Sequence, residues 1–244
     1  MMKTLFLILS FSVSTLLACT KKNNTMTAVP VTNTSTPPPV ANVTDTLTYL
    51  ALGDSYTIGQ SVSAQESFPY QLTSQLPGHK ITEPIIIAKT GWTTGQLIDA
   101  IAASSINGNT YNIVTLLIGV NDQYGGGSQT DYRAKFIQVL NTAIKFAGSN
   151  KNHVFVLSIP DYGVTPFANG DEARIGPEID QFNNINREES TKAGVNYTDI
   201  TGISKQAANN PSLLADDGLH PSAAMYLMWV EQLRISVLNA FKKK

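Results

Sequence analysis

One cysteine, Cys19, and three histidines are all the chain has of either residue. A lone cysteine excludes a disulfide within the monomer. Histidines at 79, 153 and 220 lie too far apart in sequence to form a recognisable ligand cluster, so no metal is expected. Charge is scarce too: Asp, Glu, Lys and Arg make up 14% of residues and the formal net charge is −1. That composition supplies no basic stripe, and nucleic acid is not an expected partner. Gly125-Gly126-Gly127 lacks a following Lys-Ser/Thr pair. It reads as a mobile loop and not as a phosphate cradle. No internal repeat is visible. The apolar stretch from Leu5 to Leu17 is too short to span a bilayer comfortably.

What remains is chemistry carried by side chains alone, and the first requirement is a nucleophile. The apolar run Leu47-Thr48-Tyr49-Leu50-Ala51-Leu52 is followed by Gly53-Asp54-Ser55-Tyr56-Thr57-Ile58-Gly59. A strand fixes the backbone, Gly53 permits a turn, and Ser55 lands at the carboxyl end of a sheet. In open α/β folds ligands bind there. A serine needs a base. His79 sits in Pro77-Gly78-His79-Lys80, a turn, and His153 opens the run Val154-Phe155-Val156-Leu157 at a strand edge. His220 differs, because it lies in Asp216-Asp217-Gly218-Leu219-His220-Pro221-Ser222. Pro221 keeps its predecessor out of the helical region and can start a helix itself. An imidazole at a rigid helix entrance beside carboxylates suits a general base oriented by an acid. Asp216 and Asp217 compete for that role.

Acyl transfer also needs fixed donors for an oxyanion. Two loops after expected strands can supply them. Ile85-Ile86-Ile87-Ala88 leads into Lys89-Thr90-Gly91-Trp92-Thr93-Thr94, where Gly91 offers an unobstructed N–H. Ile113-Val114-Thr115-Leu116-Leu117-Ile118 leads into Gly119-Val120-Asn121-Asp122, where Asn121 offers a side-chain amide.

The order Ser55, Gly91, Asn121, then Asp217 with His220, resembles the SGNH, or GDSL, hydrolase family through four short blocks between about residues 47 and 240. The resemblance implies that Ser55 is the nucleophile, that its N–H joins the Gly91 N–H and the Asn121 amide as oxyanion donors, and that His220 is the base. Family spacing places the acid three residues before the histidine and favours Asp217. It also implies a carboxylic ester hydrolase that needs no cofactor. Thr57 stands where the motif usually has leucine.

The amino terminus speaks to compartment. Met1-Met2-Lys3 precedes the apolar stretch, which ends Leu16-Leu17-Ala18-Cys19. Small residues before a cysteine in that setting resemble a bacterial lipobox. The expectation is a signal peptide over 1–18, lipidation of Cys19 and a location on the cell envelope. Residues 19–45 are rich in Thr, Asn and Pro and read as a disordered tether. As a flexible coil its reach is about 28 Å.

Residues 46–244 suit one domain with a substantial core. Apolar runs predict strands near 47–52, 84–88, 112–118, 153–159 and 196–200, and periodicity predicts helices near 67–76, 94–104, 130–147, 175–193 and 221–241. Alternation of the two predicts a three-layer α/β/α sandwich, flavodoxin-like, on a mainly five-stranded parallel sheet. In the last helix Leu227, Val230, Leu233 and Val237 mark the apolar stripe. Loops at strand ends carry Tyr56, Trp92, Tyr124, Tyr162 and Phe167 as candidate substrate contacts. Aromatics stack on sugars or pack on acyl chains alike. The leading expectation is a monomeric serine esterase for short acyl esters of carbohydrates or small molecules. A lysophospholipase or thioesterase-type lipid ester hydrolase, an acyltransferase and a non-catalytic envelope binding protein are the alternatives.

Overall fold

The computed structural model describes residues 46–242. The expected signal peptide, Cys19 and the tether lie outside the described residues.

Five strands form one parallel sheet: β2 (Tyr49–Gly53), β4 (Ile85–Ala88), β5 (Ile113–Leu117), β6 (Val154–Leu157) and β7 (Asn196–Thr198), in the spatial order β4-β2-β5-β6-β7. A further two-residue pair, β1 (Thr46–Leu47) with β3 (Lys80–Ile81), is also parallel and was not expected from the sequence. The register of the main sheet is set from its centre: Gly53 lies beside both Ala88 and Leu117. Chain order reverses around β2, so the crevice between β2 and β5 is the topological switch point, where doubly wound folds bind ligands.

The longer helices are α2 (Phe68–Ser74), α3 (Thr94–Ala103), α5 (Gln129–Phe146), α6 (Glu172–Ala193) and α8 (Ala223–Ala240). Right-handed crossovers put α2 on one face, where it packs on α8, and α3, α5 and α6 together on the other. The result is the expected three-layer sandwich. Short helices α1 (Ser55–Ile58), α4 (Val120–Tyr124) and α7 (Thr201–Ser204) follow strands β2, β5 and β7. Apolar periodicity cannot reveal helices of one turn.

The central strands explain the fold's stability. Every residue of β2, β5 and β6 is buried, as a sheet covered on both faces requires. Edge strand β4 departs from that pattern: Ile85 is 43% exposed. Between the central strands β2 and β5 the Tyr49 hydroxyl and Thr115 Oγ1 pair at 3.0 Å, so neither is left without a partner. In α5, Phe136, Val139, Leu140 and Ala143 are buried at helical spacing. The α8 stripe is Met225, Tyr226, Trp229, Val230, Leu233 and Val237. Leu227 does not belong to it, being 37% exposed. The large aromatics Tyr226 and Trp229 set the buried face, and Leu227 falls outside it. Two of the three histidines are used at the opposite end of the sheet from the site. His153 precedes β6 and stacks on Phe241 at 4.6 Å, and the His79 ring lies 5.8 Å from the same phenylalanine. Among the described residues no helix is long and apolar enough to cross a membrane.

Candidate active site

Ser55 is the first residue of α1, immediately beyond the carboxyl end of β2. The turn that places it depends on two neighbours. A Cβ on Gly53 would meet Thr57 Oγ1 at 2.0 Å and the Leu117 carbonyl oxygen at 2.4 Å, so only glycine fits. Asp54 caps the helix, its Oδ1 accepting from the Tyr56 N–H at 3.0 Å. Gly59, in the left-handed region at φ 76°, ends it. As the first helical residue, Ser55 has an N–H with no intrahelical partner. Asp54 is fully buried, and burial pushes its carboxyl up to about 8, with the charge of Asp122 adding to the effect.

His220 lies in the turn before α8. Its Nδ1 is 2.6 Å from Asp217 Oδ2. Asp217 Oδ1 accepts from the backbone N–H groups of Leu219 at 3.0 Å and His220 at 2.9 Å. Gly218, at φ 67°, makes that tight return possible. Partial burial works to raise the Asp217 carboxyl, but hydrogen bonds from Ser61, from His220 and from the turn hold it well below the usual carboxylate range. Among the described hydrogen bonds the imidazole's carboxylate partner is Asp217, not Asp216. With Nδ1 engaged, Nε2 is the imidazole nitrogen left for the cavity. The Tyr56 ring, 5.3 Å from the imidazole, and Trp229 behind it support His220 from below.

The two loops opposite are clamped to each other. Asn121 Nδ2 donates to the Trp92 carbonyl at 3.0 Å. One amide N–H is thereby anchored and the other is left over. The next residue, Asp122, accepts from the Thr94 N–H at 2.8 Å and its hydroxyl at 2.9 Å. Gly91 has φ 81°, and an added Cβ would meet nothing within 4 Å. Its glycine answers a backbone conformation, not a shortage of space. Gly119, at φ 125°, is different: a Cβ there would strike the Tyr132 hydroxyl at 2.3 Å.

These elements enclose an open cavity of about 120 Å³. Ser55, Gly91, Asn121 and His220 all line it, with Tyr56, Tyr124, Tyr162 and Phe167 among the aromatics. The described hydrogen bonds include none between Ser55 Oγ and His220; such contacts are commonly looser in a free site. Tyr124, Tyr162 and Phe167 pack against one another with ring centroids 5.9 to 6.2 Å apart. Tyr124 and Phe167 are 63% and 48% exposed, whereas Tyr162 is buried. Trp92 is the exception among the expected contacts. It contributes its carbonyl to Asn121, while its half-buried side chain packs against the core and does not line the cavity. Three participants escaped the sequence reading. Thr90 lines the cavity and donates to Gln60 Oε1 at 2.6 Å; Asp122 holds the Thr94 turn; Ser61 donates to Asp217. Thr90 and Asp122 had a signal, their places beside Gly91 and Asn121; Ser61 had none.

Comparison with solved structures finds the same fold in distant proteins. TesA superposes with a TM-score of 0.62 at 16% identity, over 80% of this chain and 99% of that one. A lipase/acylhydrolase from Enterococcus faecalis gives 0.62 at 19%, over 81% and 98%. Axe2, an acetylxylan esterase from Geobacillus stearothermophilus, gives 0.58 at 16%, over 81% and 95%. Comparison with curated proteins finds no match. The family model for GDSL-like lipases and acylhydrolases matches residues 51–228. That span runs from the strand before Ser55 past His220, and by it the chain belongs to the GDSL-like lipase/acylhydrolase family of ester hydrolases.

Proposed function

We propose that this ester hydrolase works by acyl transfer through Ser55, His220 and Asp217 and acts on small neutral esters. One observation carries the reading: a single small cavity gathers Ser55, Gly91, Asn121 and His220, and Asp217 holds the far nitrogen of that imidazole. Ser55 Oγ attacks the ester carbonyl as its proton passes to His220 Nε2. The carbonyl oxygen becomes an oxyanion among the N–H groups of Ser55 and Gly91 and the second amide N–H of Asn121. The carbon–oxygen bond to the alcohol then breaks, and Nε2 returns the proton to the leaving oxygen. Water enters, gives its proton to Nε2 and adds to the acyl carbon. The carboxylic acid departs as Ser55 recovers its proton. No cofactor takes part in these steps.

Substrate class follows from the lining. The lining holds no Asp, Glu, Lys or Arg side chain, and aromatic and aliphatic residues dominate. A charged headgroup beside the reacting ester has no counter-ion there, which favours neutral esters. The likeness of fold to Axe2, an acetylxylan esterase, supports a short acyl group. The test is kcat/KM of the full chain on p-nitrophenyl esters from acetyl to dodecanoyl, beside Ser55→Ala. Maximal rates at short chains and loss of turnover in Ser55→Ala are expected. A steady rise toward long chains would move the assignment to lipid esters, and an added acceptor alcohol would expose acyl transfer to a hydroxyl.

For location, the motif Leu16-Leu17-Ala18-Cys19 supports a bacterial lipoprotein anchored through Cys19, with residues 19–45 as the spacer to the catalytic domain.

A further inference from the structure

Ser61 makes a contact that the reaction scheme does not use. Its hydroxyl donates to Asp217 Oδ2 at 2.6 Å, bridging 156 residues of sequence. The same oxygen receives His220 Nδ1. The other carboxylate oxygen is occupied by the Leu219 and His220 N–H groups. Ser61 also has φ 68°, one of three positive values at non-glycine residues among those described. A serine rarely adopts that conformation, and such outliers cluster at functional sites. The turn bearing it leaves α1 directly: the Val62 N–H returns to the Gly59 carbonyl, and Gln60 accepts from Thr90 in the Gly91 loop. Residues 60 and 61 therefore join the nucleophile segment to both other parts of the site.

We infer that Ser61 is a positioning residue for the acid, its hydroxyl locking the Asp217 carboxylate in the orientation that engages His220. The inference rests on the triad reading above. An aspartate held on one oxygen by two N–H groups, and on the other only by the imidazole it has to orient, can still rock with that ring about its terminal torsion, which is soft. A further donor on that second oxygen, fixed to a different segment, stops the motion and keeps water from competing for it; the Asp217 side chain is 31% exposed, so water is at hand. The hydroxyl also withdraws charge from the carboxylate. Without it Asp217 becomes a stronger acceptor and favours the imidazolium. The titratable groups that face this pair are Tyr56 from α1 and Tyr226 from α8, both kept neutral because burial, with the Asp217 charge adding to it, pushes their hydroxyls up, and Asp216 is adjacent in the chain.

Ser61→Gly tests this in the full chain, because glycine accepts φ 68° while removing the hydroxyl. Ser61→Ala, which keeps a side chain in the turn, is the second variant. Both should lose on the order of tenfold in kcat on a short ester, with KM little changed. In both, the acid limb of the kcat/KM profile should move to higher pH. Ser63→Ala removes a hydroxyl of the same loop whose partner is Glu66, and should match the parent. His220→Gln, measured alongside, tests the triad itself. A parental kcat and pH profile in Ser61→Gly, with His220→Gln inactive, would overturn the role of Ser61 and leave the triad standing. A lowered kcat with an unmoved acid limb would also overturn it, since that is the signature of a general structural defect. Parental activity in His220→Gln would overturn the triad and the role of Ser61 together.

Discussion

Asn121→Ala should lower kcat by on the order of 10²–10³ and leave KM nearly unchanged. The amide does two things, and their magnitudes separate. Its Nδ2 anchors the Trp92 carbonyl at 3.0 Å. A neutral hydrogen bond of that kind contributes about 1 kcal/mol to stability. The loss is contained, because Asp122 next door holds the same loop through two bonds from Thr94. For a domain of this size about 1 kcal/mol lowers Tm by roughly 2–4 °C. In the proposed mechanism the second N–H acts on the developing oxyanion, where removal of one donor costs about 2.7–4 kcal/mol of transition-state stabilisation. The ground-state carbonyl draws little on that donor, so KM should not follow. Initial rates across substrate concentration, with a thermal melt of the same preparation, decide the matter. A rise in KM at constant kcat would place Asn121 in ground-state binding. A fall in Tm far beyond a few degrees would mean that the loop had collapsed, and the donor argument would lose its support.

The two acids should separate sharply. Asp217→Asn should cut kcat by on the order of 10⁴ at neutral pH through a wrong imidazole tautomer, whereas Asp216→Asn should change it little; the opposite ranking in steady-state assays would transfer the role to Asp216. Asp54 should make stability depend on pH. Its folded carboxyl, pushed up to about 8 from 3.8, stays protonated while the unfolded chain ionises, so stability falls as pH rises between those values. Asp54→Asn retains a cap oxygen and should flatten the fall of Tm between pH 4 and 8; an unchanged slope would show that Asp54 ionises freely in the folded protein. Cys19→Ser should abolish acylation and leave uncleaved precursor or soluble protein, with the catalytic rate intact. Mass spectrometry of the membrane fraction checks this, and an unmodified Cys19 found there would refute the lipoprotein assignment.

Much of the architecture was legible because its signals are local. Unbroken apolar runs such as Ile113–Leu117 can only be covered on both faces, and Phe136, Val139, Leu140 and Ala143 mark a helix face by spacing alone. Within the site, Gly53, Gly218 and Pro221 announce backbone turns whose geometry depends on the residue itself. That is why Ser55 and His220 were readable as candidates before any contact was known. Other features depend on partners distant in sequence. Resemblance to the family already favoured Asp217 over Asp216, but the residues alone left both open, and only the folded turn at Gly218 shows the Asp217 carboxylate directed onto His220. Trp92 reads as a loop aromatic open to substrate, yet packing against the core takes its side chain away and leaves its carbonyl to orient Asn121. Leu227 fits an apolar repeat but falls off the face that Tyr226 and Trp229 bury. Ser61 has no sequence signal at all: a serine in a polar turn acquires a role only when folding brings residue 217 to its hydroxyl. Local sequence specifies backbone conformation and which faces are apolar, because those depend on each residue and its near neighbours. Hydrogen bonds between distant segments follow from the packing of the whole sheet, and only the tertiary structure decides them.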